Sequence, residues 1–170
     1  MRRTTLLVLG VAAVACLLPV GQVGAHRPVT IRVRTDAQFA AAVKRLRLSG
    51  GTIRLAPTWF RGPLVVGPRG WHQLQIVGSR RTHVQELMLA GTRRVLIRGI
   101  SISPISQDAR IQSLQSSRIV IDHVRFSADG TRYASTLQLP ISNRIIVRHS
   151  EFTHCGDRSP HMVNCILLWR

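Results

Sequence analysis

The sequence predicts an all-β fold: a right-handed parallel β-helix with an N-terminal capping α-helix and an uncapped C-terminal end. Three features of the chain point there. First, one pattern occurs three times, at residues 94–103, 118–127 and 144–153, with offsets of 24 and 26 residues and apolar positions that match almost one for one. Self-similarity at a fixed period of this size marks a solenoid, whose units bury their apolar faces on one another. Second, the runs are short, β-branched and separated by turn residues, which selects strands over helix pairs. Third, Val95 and Ile97, then Ile100 and Ile102, sit two apart, so each pair points to one side of a strand, with Gly99, His123 or His149 at the bend between.

A weaker fourth copy, residues 73–78, lies 21 residues ahead of the first. A further short strand closes each coil, at 87–89, 111–113 and 136–139. The four inward side chains of a coil contribute roughly 6–12 kcal/mol by burial, as an upper bound. Ordering some two dozen backbones costs about 1–2 kcal/mol each, which is more. A single coil therefore cannot stand alone and depends on the coils above and below it.

Taken in order, the chain opens with a secretory signal over residues 1–25. Arg2 and Arg3 form the basic start, an apolar stretch runs from Leu6 to Val20, and Val23-Gly24-Ala25 is a small-residue cleavage site. The apolar stretch is short for a membrane span and is interrupted by Pro19, so a secreted, extracellular protein with no membrane span after cleavage is expected. Lipidation at Cys16 fits less well, because apolar sequence continues beyond it.

Residues 26–51 then hold an opening strand at 29–33 and the capping helix, from Ala37 to about Leu48, with Thr35 or Asp36 as cap and Gly50-Gly51 as stop. Phe39, Val43 and Leu46 form one apolar stripe on it, suited to covering the open end of the solenoid. Residues 52–170 are read as coils, incomplete at the C-terminus. Residues 52–55 and 63–66 begin the first, with Trp59 and Phe60 in the connecting bend, where packing under a loop is favoured over holding a sugar ring. Residues 166–170 read as a closing strand with no cap after it, as expected of a truncated chain or of one covered by another chain.

The net charge is +17, from 24 basic and 7 acidic side chains, and every basic residue except Lys44 is arginine. An arginine-rich codon bias would produce this composition. A surface so charged nonetheless attracts polyanions. In an exported protein these are acidic polysaccharides or anionic cell-wall polymers. Nucleic acid is not expected, because no aromatic-rich binding element accompanies the arginines. Cys155 and Cys165, the pair left after cleavage, suggest a disulfide. Zinc on His154, Cys155, His161 and Cys165 matches no usual spacing.

The stretch Ser117-Arg118-Ile119-Val120-Ile121-Asp122-His123 resembles the pectate lyase superfamily, with Val120 in place of a tryptophan and Asp122-His123 matching. Residues 142–147 are similar to the following coil of that family, and the helix leading into Gly50-Gly51-Thr52-Ile53 to the start of many secreted β-helix proteins. The resemblance implies a β-helix, action on acidic polysaccharide by β-elimination, and a structural role for the Asp-His pair. Family calcium sites use acidic side chains, where this chain has Ala134 and Gln138. Asp108, the remaining metal candidate, is one residue out of register. No cofactor is therefore expected here, and calcium only in a longer relative. Arg158 is the weak catalytic candidate, reached with an insertion, while the family's catalytic arginine falls beyond this chain.

Stacking predicts rows of side chains about 4.8 Å apart. Arg98, Asp122 and Arg148 form a structural ion column, and Arg125 pairs with Glu151. Arg94, Arg118 and Arg144 form an all-positive column, the candidate substrate-binding row, whose repulsion is relieved if the side chains splay or an anion binds. Leu96, Val120 and Ile146 form an outward apolar row, expected to be covered. His123 and His149 are neighbours too, but with no third ligand in phase they read as turn residues. Two functions stay open: a lyase-like enzyme whose machinery is incomplete in this chain, and a non-catalytic β-helix that binds glycan or serves the cell wall or surface.

Overall fold

Period-two alternation in the repeats decides which way each strand faces, and the register between coils follows from it. The computed structural model describes residues 28–69, 72–103, 109–127, 135–153 and 166–167. The signal region expected over 1–25 lies outside the described residues. Among those residues no helix is long and apolar enough to cross a membrane.

Strands β1 (Thr30–Val33), β2 (Gly51–Leu55), β4 (Leu74–Val77), β6 (Arg93–Arg98), β9 (Ser117–Asp122) and β12 (Asn143–Arg148) pair in that order into one parallel sheet. The second sheet wraps the other two sides. On one side run β7 (Ser101–Ile102), β10 (Arg125–Ser127) and β13 (Glu151–Thr153). On the other run β8 (Ala109–Leu114), β11 (Ser135–Gln138) and β14 (Ile166–Leu167). Strands β3 (Trp59–Val66) and β5 (His83–Ala90) span both sides, the start of β5 pairing with β7 and its end with β8. The result is a parallel β-solenoid of about five turns, all-β apart from one short helix, as the repeats predict.

Its interior is built from rows. Ile53, Ile76, Ile97 and Ile121 stack in register, and so do Leu74, Val95 and Ile119. On the second side Phe60, Val84, Ile102 and Phe126 follow one another, and Phe126 stacks on Phe152 with ring centres 4.4 Å apart and planes 3° from parallel. All of these except Phe152 are shut off from water. At the corner leading into the first side the core wall turns polar. Thr92, Ser116 and Ser142 sit one per coil, and the Ser116 Oγ donates to the Leu114 carbonyl at 2.8 Å while accepting from Thr92 N at 3.1 Å. Ser142 Oγ repeats the device on the Ser113 carbonyl at 2.6 Å. These hydroxyls supply hydrogen bonds that a tight buried corner would otherwise leave unmade.

Helix α1 (Asp36–Arg45) carries Phe39 and Ala42 into the same core, joined by its C-cap residue Leu46, with Val43 partly buried beside them. Thr35 is the cap, its Oγ1 accepting from Gln38 N, while Asp36 instead accepts from Gly62 N at 2.9 Å and ties the helix to β3. The helix ends three residues before the expected Leu48. The chain must turn early into Gly50, whose φ is +70° and where a Cβ would sit 2.6 Å from the Gln73 carbonyl oxygen, so no side chain fits. Trp59 and Phe60 also differ from expectation. They lie on β3 rather than in a bend, because the irregularity comes after them, between Phe60 and Pro63. Phe60 enters the core, whereas Trp59 stays 45% exposed.

Three positions of the coil repeat a left-handed residue, one of them held by Gly91, Gln115 and Ile141 with φ of 59°, 48° and 52°. Gly99, His123 and His149 have φ of 69°, 53° and 49°, at the bend the sequence marks. Arg94, Arg118 and Arg144 have φ of 55°, 56° and 53°, and the strand pairing skips them. That second bend is invisible in the sequence, because arginine is not a residue that signals a left-handed turn.

Candidate functional site

The outer surface of the first sheet carries three rows and ends at the Gly99–His123–His149 bend. Register places Arg98 opposite Asp122 and Asp122 opposite Arg148, so the expected ion column forms. Arg98 Nε lies 3.6 Å and Arg148 Nη2 3.4 Å from Asp122 Oδ2. The neighbouring pair, Arg125 and Glu151, also forms, at 2.9 Å. Both arginines of the column remain more than half exposed, while the Asp122 side chain is 5% exposed beneath them.

The other oxygen of Asp122 is engaged by the bend. His123 Nδ1 lies 2.8 Å and His149 Nδ1 3.0 Å from Oδ1. An ionised carboxylate only accepts, so in this arrangement each ring donates through Nδ1–H. The two rings lie 4.8 Å apart, tilted by 35°. The hydrogen bond from His149 is the largest influence on the carboxyl group. Burial opposes it, the His123 bond and the Arg148 charge add to it, and the group is held down at about 2.

This corrects the expectation that the two histidines have no third partner. Asp122 is one position out of phase with them, but both rings, each on a left-handed residue at the bend, reach its carboxylate, His123 from the same coil and His149 from the next. Three potential ligands thereby meet, Asp122, His123 and His149, with one donor atom from each within 4.8 Å of the others. The two histidines open on a groove of about 300 Å³ that is also lined by Arg80, Arg98, Arg125 and Glu151.

At the opposite edge of the same sheet, Arg94, Arg118 and Arg144 stand on equivalent left-handed backbone on three successive coils, all exposed. With Arg93, Ser117 and Asn143 they line a cleft of about 130 Å³. Between the two edges runs the row Leu96, Val120 and Ile146, facing outward as alternation demands, with Ile146 55% exposed.

Two pairings escape a reading that starts at residue 94. Trp59 stacks on His83, ring centres 4.1 Å apart and planes 11° from parallel, and Arg110 Nε meets Glu86 Oε1 at 2.6 Å. Each pair is separated by 24 residues, the period of the solenoid itself, which was the signal available for both. Arg158, Asp108, Cys155 and Cys165 lie outside the described residues.

No protein-family model, curated protein or solved structure matches this chain. The fold therefore stands on its own strand register, and function has to be argued from the two corners.

Proposed function

We propose that this β-solenoid binds acidic polysaccharide along the outer surface of its first sheet, as an exported protein of pectate-lyase-like ancestry. One observation carries the reading: Arg94, Arg118 and Arg144 repeat on the same left-handed backbone, coil after coil, above a shared cleft. Like charges at a spacing of about 4.8 Å repel, and an anionic polymer laid along the row lowers that repulsion. A row of this kind is suited to a polymer whose negative charges repeat along its length, more than to a single small anion. The adjacent apolar row of Leu96, Val120 and Ile146 offers the flat surface that the less polar face of a sugar ring covers. Arg98 and Arg148 add positive charge at the far edge, although Asp122 offsets part of it.

Cleavage would need a base and a carboxylate-neutralising residue at one sugar. Arg158, the expected contributor, lies outside the described residues, so binding is the reading supported by the two corners. An anionic cell-wall polymer is the related ligand, recognised by the same row.

The test is binding of the full chain to polygalacturonate, with a neutral galactan and duplex DNA as comparisons, over a range of salt. Saturable binding to polygalacturonate that weakens with salt and is lost when Arg94, Arg118 and Arg144 are all changed to Gln is expected. Equal binding by the triple variant, or stronger binding to DNA, would sink the proposal. Release of unsaturated uronate product would move the reading to a lyase.

A further inference from the structure

We infer that Asp122, His123 and His149 form a binding site for one divalent transition-metal ion of the zinc class, independent of any glycan. The donor set comes first. Two imidazoles and a carboxylate suit zinc, cobalt or nickel, whereas calcium and magnesium take oxygen ligands. The geometry is close to what ligation needs. Metal–ligand bonds of about 2.0–2.2 Å at a tetrahedral angle place neighbouring donor atoms about 3.3–3.6 Å apart, so ligation widens the two Nδ1–Oδ1 hydrogen-bond separations by about half an ångström. The two Nδ1 atoms lie 2.8 and 3.0 Å from Oδ1.

Burial divides the labour between the ligands. Asp122 is almost fully enclosed and its second oxygen faces Arg98 and Arg148, so Oδ1 is held in one place. Both imidazoles are more than half exposed and open on the 300 Å³ groove, which leaves room for water at the remaining coordination positions. Such an arrangement, three protein ligands and an open side, is that of a reactive rather than a purely structural zinc centre. Binding transfers each ring proton from Nδ1 to Nε2, so a neutral imidazole loses no net proton. The guanidinium groups of Arg98 and Arg148 oppose the ion while they fix the carboxylate, so affinity falls below that of a site without them.

The sequence hides this site because its ligands come from two coils and two phases. Asp122 ends β9, and His149, 27 positions later, follows β12.

The experiment uses the untagged full chain stripped with a chelator. Zn²⁺ alone is titrated by calorimetry and Co²⁺ alone by visible absorption. One ion per chain is expected, with a cobalt ligand-field band. His123→Asn and His149→Asn should each weaken binding at least about tenfold, given that even outer-shell changes cost that much. Asparagine is chosen because it adopts left-handed backbone readily, so the bend survives. His72→Asn and His83→Asn, outside the cluster, should leave binding unchanged. On the unmutated chain, nitrogen NMR should show the Nδ1 resonances of His123 and His149 moving with Zn²⁺ while those of His72 and His83 stay. Absence of saturable uptake, uptake indifferent to both cluster substitutions, or resonances that do not move would each overturn the site.

Discussion

Nδ1 of His149 lies 3.0 Å from Oδ1 of Asp122, although 27 residues separate them in the chain. Strand register supplies half of this contact by setting Arg148 opposite Asp122. The left-handed bend supplies the other half by turning the next residue back over the carboxylate. One carboxylate thus links three coils through four partners, Arg98, His123, Arg148 and His149.

That linkage predicts a pH dependence. The carboxyl of Asp122 is held at about 2 in the folded chain, chiefly by the His149 hydrogen bond, against 3.8 for the free group. Between those values the unfolded chain binds the extra proton, so stability rises with pH there. The contribution is present above about pH 4 and is lost as pH falls toward about 2. Thermal melts across this window should show the slope in the unmutated chain and a shallower one in Asp122→Asn. Parallel slopes would mean that Asp122 is not held in this way.

Most of the architecture was legible because a solenoid writes its contacts as a period. The period alone assigns Val95, Ile97, Ile100 and Ile102 to the core, and Arg98, Asp122 and Arg148 to one column. What the period does not carry is the path of the chain between rungs. The left-handed arginines at 94, 118 and 144, the Asp122–His149 bond and the strand position of Trp59 all depend on local backbone angles that those residue types do not announce. The candidate site lies at those bends, so less of it than of the fold could be read in advance.

The hydroxyl corner gives a second prediction. Ser116 is buried, and its Oγ both donates to Leu114 O and accepts from Thr92 N and Thr92 Oγ1. Ser116→Ala removes a partner from buried polar groups without opening a sizeable cavity. A loss of about 1–3 kcal/mol in urea unfolding is expected. A loss under a few tenths would show that Thr92 finds another partner.

The bend column gives a third. Gly99 has φ of +69°, and a Cβ there would sit 3.1 Å from the Gly78 carbonyl oxygen. His123 and His149 occupy the equivalent positions one and two coils later, each with a side chain. Gly99→Ala should cost about 1–2 kcal/mol from the left-handed backbone. Gly99→Asn should cost less than Gly99→Ala, since asparagine tolerates that conformation. Chemical denaturation of the two variants side by side gives the order, and the reverse order would contradict the left-handed assignment.

The sharpest check of the register compares two adjacent residues of β9. Ile121 points inward, fully buried between Ile97 and Val147, whereas Val120 points outward between Leu96 and Ile146. Truncating Ile121 to Ala leaves a void that the rungs on either side cannot close, because their backbones are fixed by the ladder. The expected loss is about 2–5 kcal/mol. Val120→Ala, one position away on the same strand, should change stability by no more than about 0.5 kcal/mol, since its side chain borders solvent. A one-residue slip would exchange the two effects. The double change Ile97→Ala with Ile121→Ala removes two touching side chains and merges their voids. Its cost should therefore differ from the sum of the single costs by about 0.5–3 kcal/mol. Strict additivity, measured by urea unfolding of all four proteins, would mean that Ile97 and Ile121 are not stacked.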